Sequence, residues 1–190
     1  MHTPEPTTPP SILPMQRIYI IGLSGCGKTT LGRQLAQRFG LQHIEIDALN
    51  WGPGWRALPR DVLQEKVRVV TTSAQEWVID GNYSAVREML WQAADTIVWL
   101  DYPLWFILWR LWRRTWKHVT RRTELWNGNR ETLREAFFSR DSLFLYVIRV
   151  FRKRRRLYAQ LFKESPNLHA TYLRFRSAKE LERWLHETKR

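Results

Sequence analysis

One octapeptide and its two flanks constrain this chain more than anything else in it. Gly22-Leu23-Ser24-Gly25-Cys26-Gly27-Lys28-Thr29 fits the form G-x-x-x-x-G-K-[S/T]. Before it, Ile18-Tyr19-Ile20-Ile21 is a short apolar run suited to a buried parallel strand. After it, the pattern predicts a helix from Lys28 to Phe39, closed by Gly40. The spacing has a physical reason. Glycines let the backbone wrap closely around a phosphate, and successive N–H groups then point inward as an anion nest. The helix that starts there adds the positive end of its dipole. Gly22, Ser24, Gly25, Cys26, Gly27, Lys28, Thr29 and the following Thr30 are therefore the expected nucleotide-phosphate site. In it Lys28 reaches the β- and γ-phosphates, and the Thr29 hydroxyl binds Mg²⁺.

The rest of the chain repeats the strand-then-helix rhythm. Strands are expected at His43–Ile46, Trp77–Ile79, Thr96–Leu100 and Ala170–Phe175. Pro59 and Asp61 open a helix, a short one covers about 84–92, and another runs from Ala178 to His186. Five apolar strands separated by helices imply a three-layer α/β fold around a five-stranded parallel sheet. Residues 103–165 break the rhythm. They read as a basic, aromatic-rich helical insertion between the fourth and fifth strands, with a polar patch at Asn127-Gly128-Asn129. Residues 1–15 hold five of the nine prolines and read as a flexible tail, leaving 16–190 as one domain.

Charge is distributed unevenly. The net of +13 is concentrated in residues 102–156, with fifteen basic and four acidic side chains. Such a field attracts nucleotide phosphates, nucleic acid or an anionic lipid surface, and charge alone does not choose among them. A single cysteine excludes an internal disulfide and a Cys-rich zinc site. The longest uncharged apolar-rich run near the middle, Tyr102–Trp109, is far short of the ~20 residues a membrane span needs. With no export-signal pattern near Met1, a cytoplasmic location is the default expectation.

Three aspartates, Asp47, Asp80 and Asp101, each follow a strand candidate. In an open parallel sheet ligands bind beyond the carboxyl ends of the strands, so all three are candidates to share a crevice with the loop. The other reading of each is a turn or helix-cap residue, and it weighs most for Asp101 and least for Asp80. Trp77-Val78-Ile79-Asp80 has the apolar-strand-then-Asp form that orients Mg²⁺. Asp47 stands where an acceptor approaches, to bind its hydroxyl or act as general base. Cys26 reads as a small spacer, the other reading being a thiol activated by the helix start.

On these residues the chain resembles a P-loop kinase of the adenylate kinase–shikimate kinase type. Within that group it is most similar to the small proteins known as DNA topology modulation proteins, or adenylate-kinase-like ATPases. The carrying residues are the Gly22–Thr29 loop, Asp47-Ala48-Leu49-Asn50-Trp51 with Gly54-Trp55, Trp77 to Tyr83, and Trp99-Leu100-Asp101-Tyr102-Pro103 with the arginines that follow. The resemblance implies phosphoryl transfer from ATP under a helical lid. It also implies that Arg110 and Arg114 open that lid as catalytic cations and that Ser177-Ala178 forms the adenine-contacting turn. Asp80-Gly81 matches the start of the acceptor signature of nucleoside monophosphate kinases. Asn82-Tyr83-Ser84 then replaces their Phe-Pro-Arg, which removes an acceptor-phosphate arginine.

Arg110, Arg113, Arg114, Lys117, Arg121 and Arg122 recur at spacings of three and four, interleaved with Trp109, Leu111, Trp112 and Trp116. The expected helix is cationic on one side and aromatic on another. In a kinase, lid arginines neutralise charge on the transferring group while closure excludes water. Arg149 or one of Arg152–Arg156 is expected to close from the far side. Most tryptophans, among them Trp51, Trp55, Trp77, Trp91 and Trp99, are expected in core or hinge packing. Trp51 and Trp55 lie in a non-helical loop and are candidates to stack on a flat substrate ring. The expectation is a Mg·ATP-dependent kinase acting on a small molecule, nucleoside or nucleotide. The alternative is a protein in which ATP switches a nucleic-acid-gripping lid.

Overall fold

The computed structural model describes residues 15–120, 142–164 and 167–188. Strand β1 (Arg17–Gly22) leads through the loop into helix α1 (Lys28–Phe39). Then follow β2 (Gln42–Glu45), the short helix α2 (Ile46–Asn50), and a small hairpin of β3 (Trp51–Gly52) and β4 (Arg56–Ala57) around a 3-10 turn, Pro53–Trp55. Helix α3 (Arg60–Ser73), β5 (Trp77–Asp80), α4 (Arg87–Ala93) and β6 (Thr96–Leu100) complete the first part. The insertion supplies α5 (Leu104–Thr120) and α6 (Leu143–Glu164), after which β7 (Thr171–Phe175) and α7 (Ala178–Glu187) close the fold.

Five strands form one all-parallel sheet in the order β2-β5-β1-β6-β7. Chain order and spatial order differ because β5 inserts between β1 and β2, and β1 ends up central. Alternation along β1 then builds two cores. Ile18 and Ile20 face the core that α1, α5 and α7 build with Leu31, Leu35, Ile107, Leu111 and the partly buried Leu181. Tyr19 and Ile21 face α3 and α4 through Leu63, Val67, Leu90 and Trp91. Helix α6 contributes Val147 to the first core and Tyr158 to the second. This is the expected three-layer arrangement.

Several local expectations shift. The helix expected over about 84–92 begins at Arg87, since Val86 N–H first closes a turn on the Tyr83 carbonyl at 3.3 Å. The loop around Trp51 and Trp55 is a paired hairpin, not irregular chain, and their rings pack edge-on at 5.8 Å. Trp77, Trp91 and Trp99 are buried as expected, whereas Trp105, Trp109, Trp112 and Trp116 on α5 are exposed. Residues 1–14 of the expected tail, Arg121, Arg122 and the Asn127–Asn129 patch lie outside the described residues.

Candidate functional site

Register brings the site together. Pairing of Ile20 with Asp80, Glu45 with Asp80, and Gly22 with Leu100 puts the loop, Asp80 and the start of α2 at one edge of the sheet. Gly25 and Gly27 take left-handed φ of 86° and 101°, the conformations an inward-turned amide nest needs. The Thr29 hydroxyl donates to Asp80 Oδ1 at 3.1 Å, so the two expected magnesium residues already touch. Lys28 Nζ donates to the Leu23 carbonyl at 3.2 Å, folding back over the loop. Burial pushes its pKa down, but Cys26, Asp80 and Asp47 more than offset this, and Lys28 is held above the ordinary lysine value.

Sequence reasoning did not single out His43. Its Nε2 lies 2.8 Å from Asp80 Oδ2, so the carboxylate is gripped from both sides. The position of the ring depends on a missing side chain. A Cβ at Gly32 of α1 would stand 2.4 Å from His43 Nε2, so only glycine there leaves the ring its place. A β2–β5 pairing is invisible until strand order is known, which is why the sequence alone gave no reason to look at His43.

Asn82 is the second residue whose role was not read. Gly22 N–H donates to its Oδ1 at 3.4 Å, and its Nδ2 donates to the Gly22 carbonyl. Tyr158 of α6 donates to the same Oδ1 at 2.8 Å. Where the nucleoside monophosphate kinases continue with Phe-Pro-Arg, this chain uses Asn82 to tie the loop to the lid. Tyr83 donates to Asp47 Oδ1 at 2.6 Å. Burial, then the Asp47 charge, push the Tyr83 pKa well up, so it stays a neutral donor. Asp47 itself is not a strand-end residue: β2 stops at Glu45, and Asp47 sits half-buried in the first turn of α2.

The lid helix lies on the loop. A Cβ at Gly25 would meet Leu111 Cβ at 3.1 Å, and one at Gly27 would stand 2.6 Å from Arg110 Nη2. The Arg110 guanidinium thus packs against the phosphate loop. Arg114 follows one turn later, half-buried. On the far side Arg154 reaches the Tyr158 and Tyr146 hydroxyls, and Leu23, Arg154 and Tyr158 line one small cleft. Arg149, Arg152 and Arg156 are exposed. Ser177 caps α7 by accepting from the Glu180 N–H at 3.2 Å, and both Ser177 and Thr30 are exposed.

Two candidate side chains are occupied by other contacts or buried. Asp101 lines the same small cleft as Leu23 of the loop, but its carboxylate is taken up by arginines. It is buried and held by two guanidiniums, with Arg155 Nε at 2.9 Å and Arg174 Nη2 at 2.6 Å. Cys26 is 1% exposed, and burial pushes its thiol pKa up against the pull of Lys28 and Arg110. That fits the spacer reading and not an activated thiol. Alkylation of Cys26 is expected to be much slower than that of a small free thiol, and to reach the ordinary rate in denaturant. Rapid labelling of the folded chain would contradict this.

The residues fit magnesium–ATP by their donor chemistry. Thr29 and Asp80 offer hard oxygens, and beside them stand a lysine and positive-φ amides. Among the described residues no cluster of three His, Cys, Asp or Glu could hold a metal.

No family model matches the chain. Among curated proteins it is similar to the shikimate kinase of Thermosynechococcus vestitus, 31% identical over 111 residues, covering 50% of this chain and 58% of that protein. It also matches shikimate kinase 2 of Dickeya chrysanthemi, 30% identical over 105 residues, covering 45% of this chain and 57% of that one. The chain therefore spans little more than half the length of these relatives. Among solved structures, shikimate kinase from Acinetobacter baumannii in complex with shikimate aligns over 91% of this chain and 92% of its own, with TM-score 0.57 and 18% identity. Shikimate kinase from Bacteroides thetaiotaomicron aligns over 90% and 94%, with TM-score 0.52 and 17% identity. The fold is that of these shikimate kinase structures.

Proposed function

We propose that this protein is a Mg·ATP-dependent kinase that transfers the γ-phosphoryl group to a hydroxyl of a small acceptor. The observation that carries the reading is the Thr29–Asp80 hydrogen bond at the edge of the sheet, with Lys28 folded over the same loop. ATP supplies the phosphoryl group and Mg²⁺ neutralises its charge; the chain's own residues bind, orient and exclude water. Amides of residues 22–29 and Lys28 hold the phosphates. Thr29 and Asp80 hold Mg²⁺, with His43 keeping the Asp80 carboxylate aimed. Arg110 and Arg114 from α5, and Arg154 from α6, stabilise the equatorial oxygens in the transition state. Asp47, oriented by the Tyr83 hydroxyl, accepts the acceptor's hydroxyl hydrogen.

A hydroxyl acceptor is favoured over a nucleoside monophosphate because Ser84 stands where those kinases carry an arginine. The resemblance to the topology modulation proteins rests on Asp80-Gly81-Asn82-Tyr83 together with Leu100-Asp101-Tyr102-Pro103 and carries no claim of activity on DNA. A cytoplasmic setting, where ATP and Mg²⁺ are abundant, follows from the same reading.

The test is ATP consumption against a panel of hydroxylated metabolites including shikimate, nucleosides and nucleotides, with DNA as a separate addition. One small acceptor is expected to raise ADP release in proportion to phosphorylated product. ADP release that answers only to DNA would replace this reading with the lid-switch alternative. Asp80→Asn is expected to lower turnover by about 10²-fold and to raise the Mg²⁺ needed for half-activation. An unchanged magnesium titration would remove Asp80 from the metal site.

A further inference from the structure

Helix α5 has three faces. One, with Ile107, Leu111 and Thr115, is buried in the core. A second carries Arg110 to the phosphate loop. The third has no part in the site: Trp105, Trp109, Trp112 and Trp116 recur at spacings of four, three and four, which align them in one stripe. They are between 47% and 70% exposed. Trp112 and Trp116 stack at 6.0 Å, Trp109 stacks on Phe106, and the Arg113 guanidinium lies 5.6 Å over the Trp109 ring. Arg113 and Lys117 flank the stripe. Helix α6, packed against α5, exposes Leu145 and Ile148 near its start and then Arg149, Arg152, Lys153 and Arg156. Four exposed indoles on one ridge form an apolar patch that water does not favour.

We propose that this ridge docks on an anionic phospholipid bilayer, with the indoles of α5 in the headgroup–acyl boundary and the flanking arginines and lysines on lipid phosphates. Charge complementarity carries the choice of occupant. Indole rings favour the interfacial zone, and the cations beside them meet negatively charged headgroups. No helix among the described residues is long and apolar enough to cross a membrane, so contact is along the surface. Two other occupants fit less well. A second copy would bring the same cations against themselves in a chain of net charge +13. A single-stranded nucleic acid uses ring faces and a cationic groove. Here Trp112 and Trp116 already cover each other, and exposed Leu145 and Ile148 offer a base nothing to stack on. The inference is independent of the kinase reading.

The test is sedimentation of the full chain with phosphatidylcholine vesicles, with and without phosphatidylglycerol, across a salt series. Binding is expected only when phosphatidylglycerol is present, with a blue-shifted tryptophan emission, and is expected to weaken as salt rises. Trp109→Ser with Trp112→Ser is expected to weaken it on the order of tenfold, at an unchanged melting temperature. Should that pair destabilise the fold, Trp105→Ser, at the most exposed position, replaces it with a smaller loss in the same direction. The proposal is overturned by absence of binding to anionic vesicles, or by vesicle binding indifferent to these substitutions. It is equally overturned if the substitutions instead abolish oligonucleotide binding or concentration-dependent self-association.

Discussion

Lys28→Ala is expected to cut Mg·ATP-dependent phosphoryl transfer by about 10³-fold or more while the chain stays folded. The side chain makes one hydrogen bond, to the Leu23 carbonyl within its own loop. That carbonyl also accepts from the Cys26 N–H at 3.2 Å, so the fold does not hinge on the lysine. Catalysis does, because the ammonium is the cation the loop directs at the β- and γ-phosphates. Asp80 and Asp47 help hold Lys28 in the charged form, so its charge is present across the neutral range. Arginine is not expected to rescue. A planar guanidinium is wider than an ammonium, and the Arg110 guanidinium already occupies the space against Gly27. Steady-state kinetics alongside calorimetric ATP titration and a thermal melt separate the outcomes. A folded Lys28→Ala protein with wild-type turnover would refute the phosphate-site assignment.

The loop and its flanks could be read from residue types because the chemistry there is local. An amide nest needs glycines within a few residues of one another, and α1 announces its end with Gly40. What the sequence withheld depends on pairings across the sheet. His43 reads as an ordinary polar residue in a strand until β5 is known to lie beside β2, and Gly32 reads as a weak point in a helix until that ring needs its space. Asn82 looked like a departure from a family pattern, and only the contacts with Gly22 and Tyr158 show what it holds. The tryptophans of α5 were legible as a stripe. Their exposure was not, because the core side of a helix is set by what packs on it, and Ile107 and Leu111 took that side.

Asp101 shows the same dependence on distant partners, and it carries the largest expected loss of stability. Its side chain is 3% exposed and accepts from Arg155, 54 residues on, and Arg174, 73 residues on. Its backbone N–H donates to the Phe175 carbonyl at 2.8 Å. One carboxylate thus joins the end of β6 to β7 and to the second lid helix. The Arg174 guanidinium also lies 4.2 Å from the Trp99 ring centroid, so it is positioned from two directions. Removing one partner of a buried ion pair leaves the other cation desolvated, which costs about 3–5 kcal/mol. Here the side chains of Arg155 and Arg174 keep 47% and 29% of their surface in water and can swing outward, which lowers the cost. Asp101→Ala is therefore expected to lose roughly 2–3 kcal/mol, a fall in Tm of roughly 4–12 °C for a chain of this size. Arg155→Ala, which leaves Arg174 on the carboxylate, is expected to lose less. Because this carboxylate is taken up by Arg155 and Arg174, while Thr29 bonds Asp80 and Lys28 bonds the Leu23 carbonyl, Asp101→Ala should keep most of its turnover well below its melting temperature. An unshifted melt would show that the two arginines hold each other's place without the carboxylate. Lost turnover with an unshifted melt would return Asp101 to the active site.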